Sequence, residues 1–319
     1  MPRFRCTAAS LARDEPALGS ASTVRAFLLV ENAGPWGVDA LQDARLPEQL
    51  KSGLRESAAR AGVRVLLIRR HLRHPPPSRA SYGPSRVFAA YADARNPWLE
   101  TTTIAEPEVL LDLDLAALGR GDSPGLTPAT EPVFCVCTHG RHDACCAELG
   151  RPTAAALTAS HPEHTWEVSH IGGDRFAANL LVLPDGLYYG RVPAAAAPAL
   201  AARHLEGHLD LDLLRGRSGF PFAVQFAEVA LRRQLGNTRT DAVRLMSLVQ
   251  SGDDWTAVLE AGGTSYDVLV RRETEEERHL LTCRASRANP VPRYRVVGIS
   301  RGSGGEPASA RSGRPSPPG

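Results

Sequence analysis

Residues 134–146 read FCVCTHGRHDACC and hold four of the chain's six cysteines and two of its ten histidines. Thiolates are soft ligands that suit zinc, copper(I) and iron–sulfur clusters. Cys137 and Cys146 stand at the two ends of a C-x8-C loop. That spacing is wider than the short C-x-x-C-type pair of a zinc knuckle and suits a loop wrapped around something larger than one ion. Further along, SHIGGDRF (169–176) sets His170 and Asp174 four apart, with Gly172 and Gly173 between them. Glycines let backbone come close to a cofactor because they carry no Cβ. Two donors from each of two loops is how a binuclear cluster is held, one pair per iron.

The neighbouring groups have plainer expected roles. Cys135 is assigned to packing, on the strand face opposite Cys137. Cys145 is read as the neighbour of a ligand or as half of a vicinal disulfide. Cys6 and Cys283 lie far from the loop in sequence and are expected to be isolated structural thiols. His139 and His142 are expected to hydrogen-bond rather than to ligate. His161, His164, His204 and His208 are placed at exposed edges. Arg141, Arg175 and Arg191 could line a positive rim with His139, although a solvated surface is the better expectation in a chain where Lys51 is the sole lysine.

Composition narrows the function classes. A net charge of +2 is too balanced to argue for nucleic acid or an anionic membrane as the main partner. No apolar run reaches the length of a membrane span, and the N-terminus lacks the apolar stretch of a secretory signal. The expectation is a cytoplasmic protein, where thiols stay reduced and a cysteine cluster reads as metal-binding or catalytic. No C-x-x-C stands at a strand-to-helix junction, which argues against a thiol-redox enzyme.

The elements that must position these residues follow from pattern. TVRAFLLVE (23–31) and VRVLLIRR (63–70) read as buried strands flanking a helical stretch in two pieces around Pro47. RVFAAYADA reads as a third strand, and EPEVLLDLDLAAL as a short strand or helix. GRGDSPGLTPATEP (119–132) reads as a linker. VFCVCT is a strand entering the cysteine loop, and a helix is expected from RPTAAALTAS with proline in its first turn. TWEVSHIGG is the next strand, and NLLVLPDGLYYGRV reads as two strands around a turn. Helices at PAAAAPALAARHLEGHLD and PFAVQFAEVALRRQLG precede an antiparallel meander. The tail is low in complexity and is expected to be disordered. The boundaries are 1–118 for a first α/β domain, 119–132 for a linker and 133–236 for a second domain. A C-terminal helix and β meander are expected over 237–301, and the tail over 302–319.

CTHGRHDACC and SHIGGDRFAANLLVLPDGLYYGRV resemble the sucrase/ferredoxin-like family, and FLLVENAGPWGVDAL with GVRVLLIRR resembles its first half. The second half is also similar to thioredoxin-fold [2Fe–2S] ferredoxins. The resemblance implies an α/β chain of two thioredoxin-like domains with a small C-terminal β extension. It also implies a [2Fe–2S] cluster with mixed cysteine and histidine ligation, and an unidentified redox partner protein. By this likeness Cys137, Cys146 and His170 map onto three ligands. Asp174 stands where the family pattern has histidine. Either its carboxylate ligates, or Cys145, Cys135 or His142 takes that place, or the fold serves as a cluster-free thiol or binding module. A zinc site is compatible with the same donors. No positioned carboxylate pair of the kind glycosidases use is evident, so sugar hydrolysis is not expected.

Overall fold

The computed structural model describes residues 4–71 and 84–302. The proline-rich stretch after His71 and the expected disordered tail fall almost wholly outside the described residues. Strand β1 (Ala26–Glu31) is buried along nearly its whole length, as its unbroken apolar run requires of a strand covered on both faces. It pairs in parallel with β2 (Val63–Arg69) across helix α2 (Glu48–Ala61). Residues 39–46 form turns rather than a first helical piece, and α2 starts directly after Pro47. β3 (Ser85–Tyr91) runs antiparallel to β1, and β4 (Trp98–Ile104) antiparallel to β3. β4 is a strand that pattern reading missed, because WLETTTI carries its apolar weight only at its ends. Helix α3 (Leu115–Arg120) follows, capped by the Asp114 carboxylate.

The second half repeats the device. β6 (Val133–Cys137) pairs in parallel with β7 (Thr165–Val168) across helix α4 (Ala144–Ser160). β8 (Leu180–Leu183) and β9 (Leu187–Tyr189) add antiparallel, and β10 (Leu214–Arg217) closes that edge after helix α5 (Ala197–Leu205). The order β2-β1-β3-β4 thus recurs as β7-β6-β8-β9 inside a single ten-stranded sheet. The stretch expected to be a linker supplies the end of α3 and the short edge strand β5 (Thr127–Pro128), paired to β4.

The two halves meet where β2 runs antiparallel to β7, with Ile68 opposite Val168 and Arg69 opposite Glu167. The Glu167 carboxylate accepts from Arg69 Nε (2.7 Å) and Thr138 Oγ1 (2.8 Å) and lies 2.6 Å from His71 Nδ1. Leu67 N–H donates to Ser169 Oγ (3.0 Å), and Arg64 donates to the His170 carbonyl (2.9 Å). The first half therefore grips the segment that carries His170.

Beyond the sheet, helix α6 (Phe222–Leu235) packs under a separate four-stranded sheet. That sheet consists of β11 (Val243–Ser251), β12 (Asp254–Ala261), β13 (Thr264–His279) and β14 (Asn289–Arg301) in sequential antiparallel order. The described residues of 237–301 contain no helix, contrary to the expected helix there; the helical pattern ends at Leu235 with Gly236 in left-handed geometry. The short helix α1 (Cys6–Ala12) lies at the start of the chain. The loop joining β13 to β14 carries Cys283 back to both α1 and the start of α4.

Candidate metal centre

Helix α4 does not begin at Arg151 but seven residues earlier, at Ala144. Asp143 is its cap, its Oδ1 accepting from the Cys145 N–H at 2.9 Å, which satisfies one of the donors every helix start leaves open. Pro152 consequently sits inside the helix rather than in its first turn. Cys145 and Cys146 are therefore first-turn helical residues, not loop residues. Cys137 is the last residue of β6, and α4 comes down onto it through Gly150. A Cβ there would fall 2.1 Å from the Cys137 carbonyl oxygen, so only glycine permits this approach.

Cys137, Cys146, Asp174 and His170 meet as a chain of contacts. The Cys146 thiol hydrogen-bonds Cys137, and the same Sγ lies 3.2 Å from Asp174 Oδ1. His170 Nδ1 is 2.9 Å from Asp174 Oδ1, and His142 Nε2 is 3.8 Å from Asp174 Oδ2. The His142 and His170 rings stack with centroids 3.7 Å apart. The thiols and Asp174 are buried, while the His142 and His170 side chains are 34% and 29% exposed. Asp174 Oδ2 is buried with no hydrogen-bond partner, His142 Nε2 standing off at 3.8 Å, whereas His170 Nδ1 is buried against Asp174 Oδ1. The hydrogen bond from Cys146 holds the Cys137 thiol below its usual range, and that bond together with burial pushes Cys146 well up. Burial would raise the Asp174 carboxyl, but the His170 imidazole and the Cys146 thiol outweigh it and hold it low.

A model of the sucrase/ferredoxin-like family matches residues 17–216, well over half of the 319-residue chain. The chain belongs to the sucrase/ferredoxin-like family. No curated protein and no solved structure matches it. The sucrase/ferredoxin-like match spans both halves of the large sheet and the four donors just described. It leaves out α1, α6 and the four-stranded sheet.

His139 is buried and settles into one tautomer. Its Nδ1 accepts the His170 backbone N–H (3.2 Å), so its Nε2 carries the proton that faces the Gly37 carbonyl at 2.7 Å. Burial lowers its pKa and keeps it neutral. It thus acts as a brace between the Gly34–Gly37 turn of the first half and the His170 loop, with Trp36 edge-on at 5.7 Å. Gly172 and Gly173 both have positive φ (94° and 77°). A Cβ on Gly173 would collide with the Arg215 guanidinium. Arg215 is buried and donates to Gly172 O and Asn179 Oδ1; burial brings its pKa down to about 10.

Several expectations need correcting. Cys135 and Cys137 share one strand face, as residues two apart in a strand must, and both enter the same core. Arg175 and Arg191 form no outer rim: both are bound to the α1 region, Arg175 to Glu15 (2.7 Å) and Arg191 to Ser10 and the Glu15 carbonyl. His204 is buried beside Asp185 (3.3 Å), not at an exposed edge.

The largest correction concerns Cys6 and Cys283, which are not isolated. Cys283 Sγ lies 3.4 Å from Cys145 Sγ and 3.5 Å from Cys6 Sγ. Both Asp143 oxygens lie 3.6 Å from Cys6 Sγ. Cys6, Asp143, Cys145 and Cys283 can each offer a donor atom within 4.8 Å of the others, as can His142, His170 and Asp174. Hydrogen bonding from Cys6 brings Cys145 down to about 5, and burial lifts Cys283 to about 11. Sequence spacing carries no sign of this second group, because its members come from three segments more than 130 residues apart.

Proposed function

We propose that this family member is a [2Fe–2S] ferredoxin-like protein that carries single electrons or senses redox state. Cys137 and Cys146 would hold one iron, and His170 and Asp174 the other. The observation that carries this reading is the buried Asp174 carboxylate, which meets both the Cys146 thiol (3.2 Å) and His170 Nδ1 (2.9 Å) through Oδ1 while its Oδ2 has no hydrogen-bond partner. A carboxylate oxygen buried without a donor is costly unless a cation takes up its lone pair. When bound, such a cluster supplies a reversible one-electron couple. The recurring strand order supports reading each half as thioredoxin-like.

The chain's own residues set the conditions for that couple. A neutral imidazole in place of a thiolate raises the potential of such a centre, and the Asp174 carboxylate pulls it back down. His139 fixes the His170 backbone. Arg215 places a buried positive charge behind the glycine turn, with no ion-pair partner among the described residues. The thiols face the core, whereas His142 and His170 open on a cavity of ≈ 230 Å³ lined also by Val38, Asp39, Leu41 and Arg64. A redox partner protein would approach there, onto a surface built partly by the first half. Among the described residues no helix is long and apolar enough to cross a membrane.

A second reading rests on the spacings of 2.9 and 3.2 Å. Neighbouring donors around one tetrahedral zinc ion stand about 3.3–3.7 Å apart, given bonds of ~2.0–2.3 Å. Oxygen-free purification with iron, sulfide and EPR measurements separates the two. About two irons and two sulfides per chain, lost in Cys137→Ser and altered in His170→Ala, are expected for a histidine-ligated binuclear centre. One metal without sulfide would establish the single-ion site, and a folded protein that stays colourless after anaerobic reconstitution would sink the electron-carrier reading.

A further inference from the structure

The second thiol group is not used by the centre proposed above. Its three sulfurs come from α1, the first turn of α4 and the β13–β14 loop, and all lie within 4.8 Å of one another, with Cys283 touching both of the others. Cys283 Sγ is 3.4 Å from Cys145 Sγ and 3.5 Å from Cys6 Sγ. Cys6 and Cys145 are buried and Cys283 partly so. Asp143 completes the set from beneath. Its Oδ1 receives the Cys145 N–H (2.9 Å), its Oδ2 the Cys283 N–H (2.6 Å), and both oxygens face Cys6 Sγ. One buried carboxylate thus orders two of the three thiol-bearing backbones.

Three thiols cannot pair off as disulfides without leaving one over. Thiolates around one zinc ion stand roughly 3.7 Å apart, from a Zn–S bond of ~2.3 Å, so the two Cys283 separations of 3.4 and 3.5 Å need to widen by only a few tenths of an ångström. Arg5, Arg141 and Arg284 line the cavity just outside; their charge favours an anionic cluster of thiolates. Cys145 and Cys146 are adjacent on one helical turn yet turn to different groups, so the two groups are separately addressable by substitution.

We propose that Cys6, Cys145 and Cys283, with Asp143 as the fourth donor, bind one zinc(II) ion that ties the N-terminal helix and the C-terminal β-hairpin to the start of α4. Binding exchanges thiol protons for the metal and needs no oxidant. The site stands independently of the iron–sulfur reading. Cys6 and Cys283 lie outside the residues that the family model matches, so the ion would fasten this chain's terminal additions onto the family's shared sheet.

The test is elemental analysis of the full-length protein, purified with zinc present and without oxygen, with cobalt(II) exchanged for zinc to read the ligands. Wild type is expected to hold about one zinc per chain, with thiolate-to-cobalt absorption of a tetrahedral site. Cys283→Ser and Cys145→Ser should each lower retained zinc at least tenfold, and Cys283→His, which keeps a zinc donor, should restore most of it. Cys137→Ser should leave the zinc in place whatever happens to iron. Circular dichroism of each variant identifies unfolding as a cause of loss, and the cobalt spectrum of wild type reads the thiolate ligands without any variant. Zinc retained in full by folded Cys283→Ser and Cys145→Ser would overturn the proposal. So would a wild-type protein that takes up no zinc, shows a disulfide among these three cysteines, or binds cobalt without thiolate absorption.

Discussion

Replacing Gly150 with alanine sets two physical effects against each other, and the structure decides the sign. Gly150 is interior to α4, where alanine is favoured over glycine by about 1 kcal/mol through backbone entropy. On that ground alone the substitution stabilises. The added Cβ, however, would lie 2.1 Å from the Cys137 carbonyl oxygen and 3.1 Å from its carbon, against ordinary contact from 3.4 Å outward. The obstacle is backbone in a central, fully buried strand, so it cannot rotate away, and helix and strand must separate by more than an ångström. Overpacking of this kind costs about 1–3 kcal/mol, and a backbone clash belongs near the upper end. The net expectation is a loss of roughly 1–2 kcal/mol once the helix-propensity gain is subtracted. Urea unfolding of the metal-free protein measures it as a lowered midpoint. The internal control is Gly53→Ala in α2, where the new Cβ meets only the flexible Leu111 side chain at 3.0 Å; there a gain of about 0.5–1 kcal/mol is expected. Because α4 carries Cys145 and Cys146, its displacement should also weaken metal retention in both thiol groups. A Gly150→Ala protein that unfolds at the same or higher urea, with an unchanged slope, would refute the close-approach argument.

Other perturbations have equally definite expectations. Glu228 accepts from Arg217 Nε (3.0 Å) and Arg232 Nη2 (2.9 Å) with all three side chains nearly or fully buried; Glu228→Gln leaves two guanidinium groups without their carboxylate and should cost about 3–5 kcal/mol by urea unfolding. A loss below 1 kcal/mol there would mean that the arginines find other compensation. Burial would raise the Glu167 carboxyl, yet Arg69, His71 and Thr138 hold it below its ordinary range. Its contribution is therefore present above the unfolded value of about 4.3 and is lost as pH falls through the folded one. Glu167→Gln should be less stable at neutral pH and lose less stability on acidification below pH ~4, and parallel pH–stability curves for the two proteins would contradict this. If iron is held as proposed, Asp174→His replaces a buried anion by a neutral ring and should raise the midpoint potential. A unit charge at ~4 Å in an effective dielectric of ~20 is worth about 4 kcal/mol, an upper bound of roughly 170 mV for one electron. Protein-film voltammetry showing no upward shift would remove Asp174 from the centre.

Much of the architecture was legible along the chain because it depends on local patterning. Unbroken apolar runs marked β1, β2 and β6, and Gly236 marked the end of α6. The C-x8-C loop and His170-x3-Asp174 pointed to two loops, and the parallel pairing of β6 and β7 brings those loops side by side, so that Asp174 meets both Cys146 and His170. Where a cap or a packing contact decided, pattern misled. Asp143 extends α4 back over Cys145 and Cys146, and β4 is a strand because β3 and β5 pair with it, not because its threonines alternate. His139 looked like any histidine at a turn; its role as a brace exists only because the β2–β7 seam presses the Gly34–Gly37 turn against the His170 loop. Cys6 and Cys283 show the limit most sharply. A residue type states what chemistry a side chain can do, but which side chains share a site across 277 residues is settled by which strands pair and which hairpin folds back. That information resides in the summed packing of the whole chain and in no single stretch of it.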